Sequence, residues 1–154
     1  GPPGSDINVR RKRGFLRAME EYGLAVPEDW LFEMDFSTAA GFKAGKYFAA
    51  LEERPTAICA ANDVLAMGGI TAFHQCGVKV PEDISSAGED NIEFGRTYRP
   101  ALTTIDNSSS LFAQKAYAML VERLQNQYGG PPREVVCPRE LIVRESTKAL
   151  QSAK

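Results

Sequence analysis

Four short polar clusters carry the side chains of this sequence that could do chemistry: Ser5 to Arg11, Asp35-Phe36, Asn62-Asp63 and Glu89-Asp90-Asn91. Between them they offer a guanidinium, a planar amide, carboxylates and an aromatic face. That set suits recognition of a polyhydroxylated or otherwise polar small molecule, through paired hydrogen bonds and a ring to stack on. It does not suit catalysis. The single histidine, His74, has no Ser-His or Cys-His arrangement around it, no glycine-rich phosphate loop is present, and no Cys/His/acid set has metal-ligand spacing. The reading is a binding module, not an enzyme, with no metal and no cofactor.

Position alone leaves simpler roles open for each cluster. Asn62-Asp63 can be a helix cap, Asp90 can form a turn, and core packing is the favoured role of Phe36. The basic run Arg10-Arg11-Lys12-Arg13 is only four residues long and reads as a solvated helix face, not a nucleic-acid patch.

The elements that must position these residues follow from hydrophobic spacing. Val9, Phe15, Leu16, Met19 and Tyr22 recur near helical period and predict a helix over 8–22, stopped at Gly23. A short strand is expected over 30–34, then a helix capped by Ser37 and running to about Glu53. Thr56 to Ala61 is a continuous apolar run between Pro55 and Asn62, as expected of a parallel strand buried on both faces. A helix over 63–76, strands at 84–88 and 102–105, a helix over 108–125, and strands near 134–137 and 141–143 complete the chain. Strands alternating with helices at this spacing predict an α/β fold with a parallel sheet flanked by helices. Residues 1–6 read as a loop feeding a helix, so a further strand is expected upstream. In such a sheet, ligands bind beyond the carboxyl ends of the strands, where all four polar clusters fall.

The 154 residues, 44% hydrophobic and 25% charged, are ordinary for a globular domain with a real core. A net charge of -2 gives no general attraction to a phosphate backbone, so direct DNA binding by this segment is not expected. With no spanning apolar stretch and no signal peptide, no membrane association is expected and the cytoplasm is the expected compartment. Cys59, Cys76 and Cys137 are odd in number and widely spaced, which predicts buried free thiols.

The order of motifs resembles the LacI/GalR family of transcriptional repressors over nearly the whole chain. Gly1-Pro2 is followed by Arg11-Lys12-Arg13-Gly14-Phe15 and Ala18; Pro55-Thr56-Ala57-Ile58 by Ala61-Asn62-Asp63, Ala66 and Gly68. Next come Val80-Pro81-Glu82-Asp83-Ile84-Ser85 with Gly88 and Asp90-Asn91, then Pro100 to Ile105, and finally Leu141 to Thr147. The resemblance implies a partial periplasmic-binding-protein-like fold, mostly its C-terminal subdomain. Residues 1–105 would form that subdomain, 106–132 a crossing segment and helix of the N-terminal one, and 133–154 the return strands and tail.

The resemblance also implies effector contacts from Arg11, Asn62 and Asp90, stacking on Phe36, and a contact from Ser5 that varies with effector. The expected ligand is a small polar effector such as a sugar. A homodimer is implied through Met67 to Gln75 and the loop Arg96 to Arg99, with DNA reached only through an absent helix-turn-helix domain under allosteric control. A sugar-binding protein of a transport system shares the fold and is the alternative.

Two departures stand out. Glu89 replaces an aromatic or aliphatic residue, so it is expected to raise the pKa of one carboxyl of the Glu89-Asp90 pair, face solvent, or mark an effector with amine or metal character. The helix near Ser109 to Gln125 would expose Phe112, Ala116, Met119 and Leu120, and is expected to dock on another copy or swing away.

Overall fold

The computed structural model describes residues 1–150. Five helices, one 3-10 turn and four strands follow in order: α1 (Asp6–Glu21), the turn Glu28–Trp30, α2 (Thr38–Ala50), β1 (Ala57–Cys59), α3 (Asp63–Gln75), β2 (Ser85–Glu89), α4 (Glu93–Thr97), β3 (Thr103–Asp106), α5 (Ser109–Leu124) and β4 (Glu140–Ile142). The sheet order is β1-β2-β3-β4, with the first three strands parallel and β4 antiparallel to β3. The α/β class with a parallel sheet and flanking helices is as expected from the sequence.

Three of the helices, α1, α2 and α3, begin where short polar side chains can take the place of a missing backbone acceptor. Ser5 Oγ accepts from the Asn8 amide, Ser37 Oγ from Ala40, and Asn62 Oδ1 from Leu65 at 2.9 Å. The core lies between α2, α3 and the sheet, and joins Phe48, Ala66, Ile70, Phe73, Val78, Val80, Ile84 and Leu102. α2 and α3 approach so closely that a Cβ on Gly41 would stand 2.1 Å from the Leu65 carbonyl oxygen, and one on Gly68 would stand 2.2 Å from that of Thr38. Only glycine permits this backbone contact.

Several expectations need correction. Residues 31–34 form no strand: Trp30 closes a 3-10 turn and the segment runs on without a ladder, because no described strand lies beside it. Its backbone tie is the Met34 amide to the Gly1 carbonyl, 2.9 Å, and Phe32 holds it by packing on Tyr47 and Phe48 at ring separations of 4.8 and 5.3 Å. β1 is shorter than expected and is not buried on both faces; it is an edge strand, and Ala57 and Cys59 are exposed. The three cysteines are free, but Cys59 on that edge and Cys76 at the end of α3 are exposed, not buried.

No strand forms at 134–137, where the chain has no neighbouring ladder. α4 was not foreseen; it is one short turn of helix with Gly95 at its centre. In α1 the expected packing stripe is only partly used. Phe15, Leu16 and Met19 are half-buried, whereas Val9 and Tyr22 stay exposed.

The segment after β4 is sewn between β2 and β3. Ser146 is fully buried: its carbonyl accepts from Ser86, its amide donates to Ala101, and its hydroxyl lies between the Thr103 amide (2.8 Å) and the Ser86 carbonyl (2.6 Å). α5, by contrast, buries no residue, and Phe112 and Leu120 stand exposed on it as the sequence led one to expect.

Candidate functional site

The site is assembled where β1, β2 and β3 end. After β1, Asn62 turns the chain into α3 and spends its Oδ1 on the helix cap, so the capping role and the site position coincide, and the amide nitrogen has no partner among the described residues. Asp63 is fully buried. Its Oδ1 accepts from the Thr104 hydroxyl at 2.5 Å and its Oδ2 from the Ile92 amide at 2.9 Å. Burial pushes the Asp63 carboxyl above its usual range, against the lowering pull of these hydrogen bonds and of Arg144. Gly88 is what lets β2 pass this carboxylate, since a Cβ there would lie 2.3 Å from Asp63 Oδ1. Asp63 is thus a pillar beneath the loop that presents Glu89 and Asp90.

Asp90 and Asn91 have φ of 113° and 50°, in or beyond the left-handed region, so the chain bends sharply as β2 ends. The Asp90 amide donates to Ile105 and its Oδ1 accepts from Asn107 Nδ2 at 2.8 Å. The residue is exposed as a whole, yet partial burial of its carboxyl raises the pKa; Arg11 opposes the rise, and Glu89 and Asp63 add to it. Asn107 Oδ1 is buried with no partner among the described residues, an acceptor facing the same corner. Asn91 is fixed by Arg144 Nη2 (2.5 Å) and by Asp106 Oδ2 (3.2 Å).

Arg11 reaches across from α1. Its Nη1 donates to the Ala61 carbonyl at 2.6 Å and its Nη2 to Glu89 Oε1 at 2.8 Å. Its guanidinium stands 6.0 Å from the centre of the half-buried Phe36 ring. The structure therefore brings Arg11, Phe36, Asn62 and Asp90 to one end of the sheet. Ser5 sits at the mouth of α1 as its cap.

Glu89 does not face solvent. It is 6% exposed, and its Oε1 also accepts from Arg139 at 2.6 Å. Sequence reasoning missed Arg139 and Arg144, which lie 50 and 53 residues from their partners and carry no local pattern. An open concavity of about 760 Å³ lies elsewhere, along the outer side of α1 between Arg13, Arg17 and Glu33. It is wide open and includes none of the converging residues, so the strand-end cluster remains the better-built site. No group of three or more potential metal ligands occurs among the described residues.

The sequence profile of the periplasmic binding protein-like domain family matches residues 1–147. The chain belongs to this family. It is 38% identical over 146 residues to the HTH-type transcriptional repressor PurR of Escherichia fergusonii, a match covering 95% of this chain and 42% of that repressor. The chain thus spans less than half the length of the curated relatives it matches.

Among solved structures, a LacI-type transcription regulator from Bifidobacterium animalis subsp. lactis superposes with a TM-score of 0.84 at 33% identity, over 90% of this chain and 50% of that one. A LacI family regulator from Lactobacillus casei with bound sucrose gives 0.83 at 28% identity, over 94% and 53%. The relatives and neighbours so named are transcriptional repressors and LacI-type regulators, in agreement with the resemblance that the motif order carries.

Proposed function

We propose that this chain forms one wall of the effector site of a LacI/GalR-type repressor, binding a small polar ligand of the sugar class. The observation that carries the reading is the convergence of Arg11, Asn62, Asp90 and Phe36 at the carboxyl end of one parallel sheet, with Arg11 pinned between the β1 and β2 loops. Donor, acceptor and aromatic face stand side by side. The Lactobacillus casei relative has been solved with sucrose, with glucose and with Tris, which supports a polyhydroxylated ligand.

In this reading residues 1–105 form the C-terminal subdomain, 106–132 cross to a second one, and 133–154 return. Ligand favours one arrangement of the two subdomains, and that preference passes to a DNA-binding domain outside this chain, in the cytoplasm. Among the described residues no helix is long and apolar enough to cross a membrane. A second copy packs on the surface from Met67 to Gln75 and the loop Arg96 to Arg99. Ile70, Ala72 and Phe73 within that span are already used by the core and Met67 packs against it, which leaves Thr71, His74, Gln75, Arg96 and Arg99 for the partner.

A thermal-shift screen of sugars and nucleobases on the complete repressor tests the reading. A sugar is expected to raise Tm, and Arg11→Ala and Asn62→Ala are expected to abolish the rise. Retention of the full shift in both variants would place the ligand elsewhere.

A further inference from the structure

Glu89 is a buried carboxylate that the effector reading does not use. Two guanidinium groups are turned onto one of its oxygens, Arg11 at 2.8 Å and Arg139 at 2.6 Å. Arg139 comes from the segment entering β4 and is mostly exposed, Arg11 is three-quarters buried, and Glu89 is nearly closed from solvent. Arg11 has its other terminal nitrogen on the Ala61 carbonyl. Its charge is therefore compensated from within the protein, while Nε and the outward hydrogens remain to donate.

We propose that Glu89 sets the charge selectivity of the site: its carboxylate stands where the carboxylate or phosphate of a ligand would otherwise pair with Arg11 and Arg139, so the site takes an uncharged polyol and turns away an anionic one. The proposal rests on the effector reading for the nature of the ligand, but its physical content is local. Arg11 and Arg139 are both paired to Glu89, Arg144 is turned onto Asn91, and Asp90 and the buried Asp63 add negative charge beside them, so the corner holds no uncompensated excess of positive charge. An incoming anion must compete with the Glu89 carboxylate for guanidinium groups that are already paired to it, and it meets a second carboxylate, Asp90, close by. A neutral hydroxyl still finds donors in Arg11 and acceptors in Asp90. Removing the Glu89 charge without changing its shape would leave two guanidinium groups sharing one neutral amide, which is an anion site.

Sulfate is the probe, because it needs no sugar recognition. Equilibrium dialysis with labelled sulfate, and the NMR shifts of the Arg11 side-chain nitrogens, are measured on the full 154-residue chain. Wild type is expected to show no saturable sulfate binding at Arg11. Glu89→Gln is expected to bind at least about tenfold more tightly, Glu89→Asp to behave as wild type, and Arg11→Ala added to Glu89→Gln to erase the gain. Wild-type sulfate binding equal to that of Glu89→Gln, or a gain indifferent to Arg11→Ala, overturns the proposal.

Should Glu89→Gln fail to fold, the wild-type titration decides: a saturable shift of Arg11 refutes the assignment and its absence upholds it. D-Glucose and D-glucuronate are titrated on the same samples. Failure of glucose to bind counts against the sugar reading and leaves the sulfate result to judge Glu89.

Discussion

α3 and α5 each follow a strand of the sheet and have similar lengths, yet they are held in opposite ways. α3 buries Asp63, Ala66, Gly68, Ile70, Ala72 and Phe73 between α2 and the sheet. α5 buries nothing and is tied by polar contacts at its two ends: Ser108 Oγ to the Pro138 carbonyl, and Arg123 to the carbonyls of Gly130 and Pro131. Arg133 reinforces the far end by pairing with Glu122 and lying 3.9 Å from the centre of the Tyr128 ring. The difference teaches that helix formation and helix anchoring are separate facts. α5 has the residues to be a helix, but its apolar face has no partner within the described chain.

The contrast can be broken most sharply in the core. Phe73→Ala is expected to cost about 4 kcal/mol in urea denaturation, while Phe112→Ala on α5 is expected to change stability by less than about 0.5 kcal/mol. Equal effects would mean that α5 is packed after all. Next in size is the pillar under the site: Asp63→Ala strands the Thr104 hydroxyl and the Ile92 amide in the interior and is expected to cost about 3 kcal/mol.

Asp63→Asn sharpens the same point through pH. Because burial raises the folded-state pKa of Asp63, the native state takes up a proton before the unfolded state does as pH falls. The cost of holding the charge is present above the raised pKa and is gone below the ordinary value of 3.8. Wild type should therefore gain stability relative to Asp63→Asn between neutral pH and about pH 4. A constant gap would show that Asp63 titrates normally.

The smallest effect is expected at the outer end of α5, where Arg133→Ala should cost less than about 1 kcal/mol because the pair with Glu122 is partly solvated. Hydrogen exchange should nevertheless show the α5 amides opening far more readily than those of α3.

These features differ in how far the sequence exposed them. The helices at α1, α2, α3 and α5 and the three parallel strands were legible because each carries its own period and its own start or stop: Ser37 and Asn62 as caps, Gly23 and Gly77 as ends. The segment 30–34 misled because its apolar residues fit a strand, and a strand is defined by a neighbour that no local pattern reveals. The same reason removes a strand from 134–137. α4 was illegible because five residues around a glycine give no period to read.

At the site, Asn62 and Asp90 could be picked out because they follow strands in recognisable motifs, and Arg11 because of its motif on α1. The partners that fix Glu89 and Asn91 could not, since Arg139 and Arg144 meet them only through the sheet's topology. Cys59 went wrong for a related reason: an apolar run says that a strand belongs in a sheet, but not whether it lies at the edge.

The Ser146 seam has a practical consequence for anyone making this protein. Its hydroxyl and backbone tie β2 to the start of β3, so Arg144 to Thr147 behave as an internal strut. An expression boundary drawn at Val143 would cut that strut and is expected to yield insoluble material, whereas a purification tag joined beyond Leu150 would leave it whole.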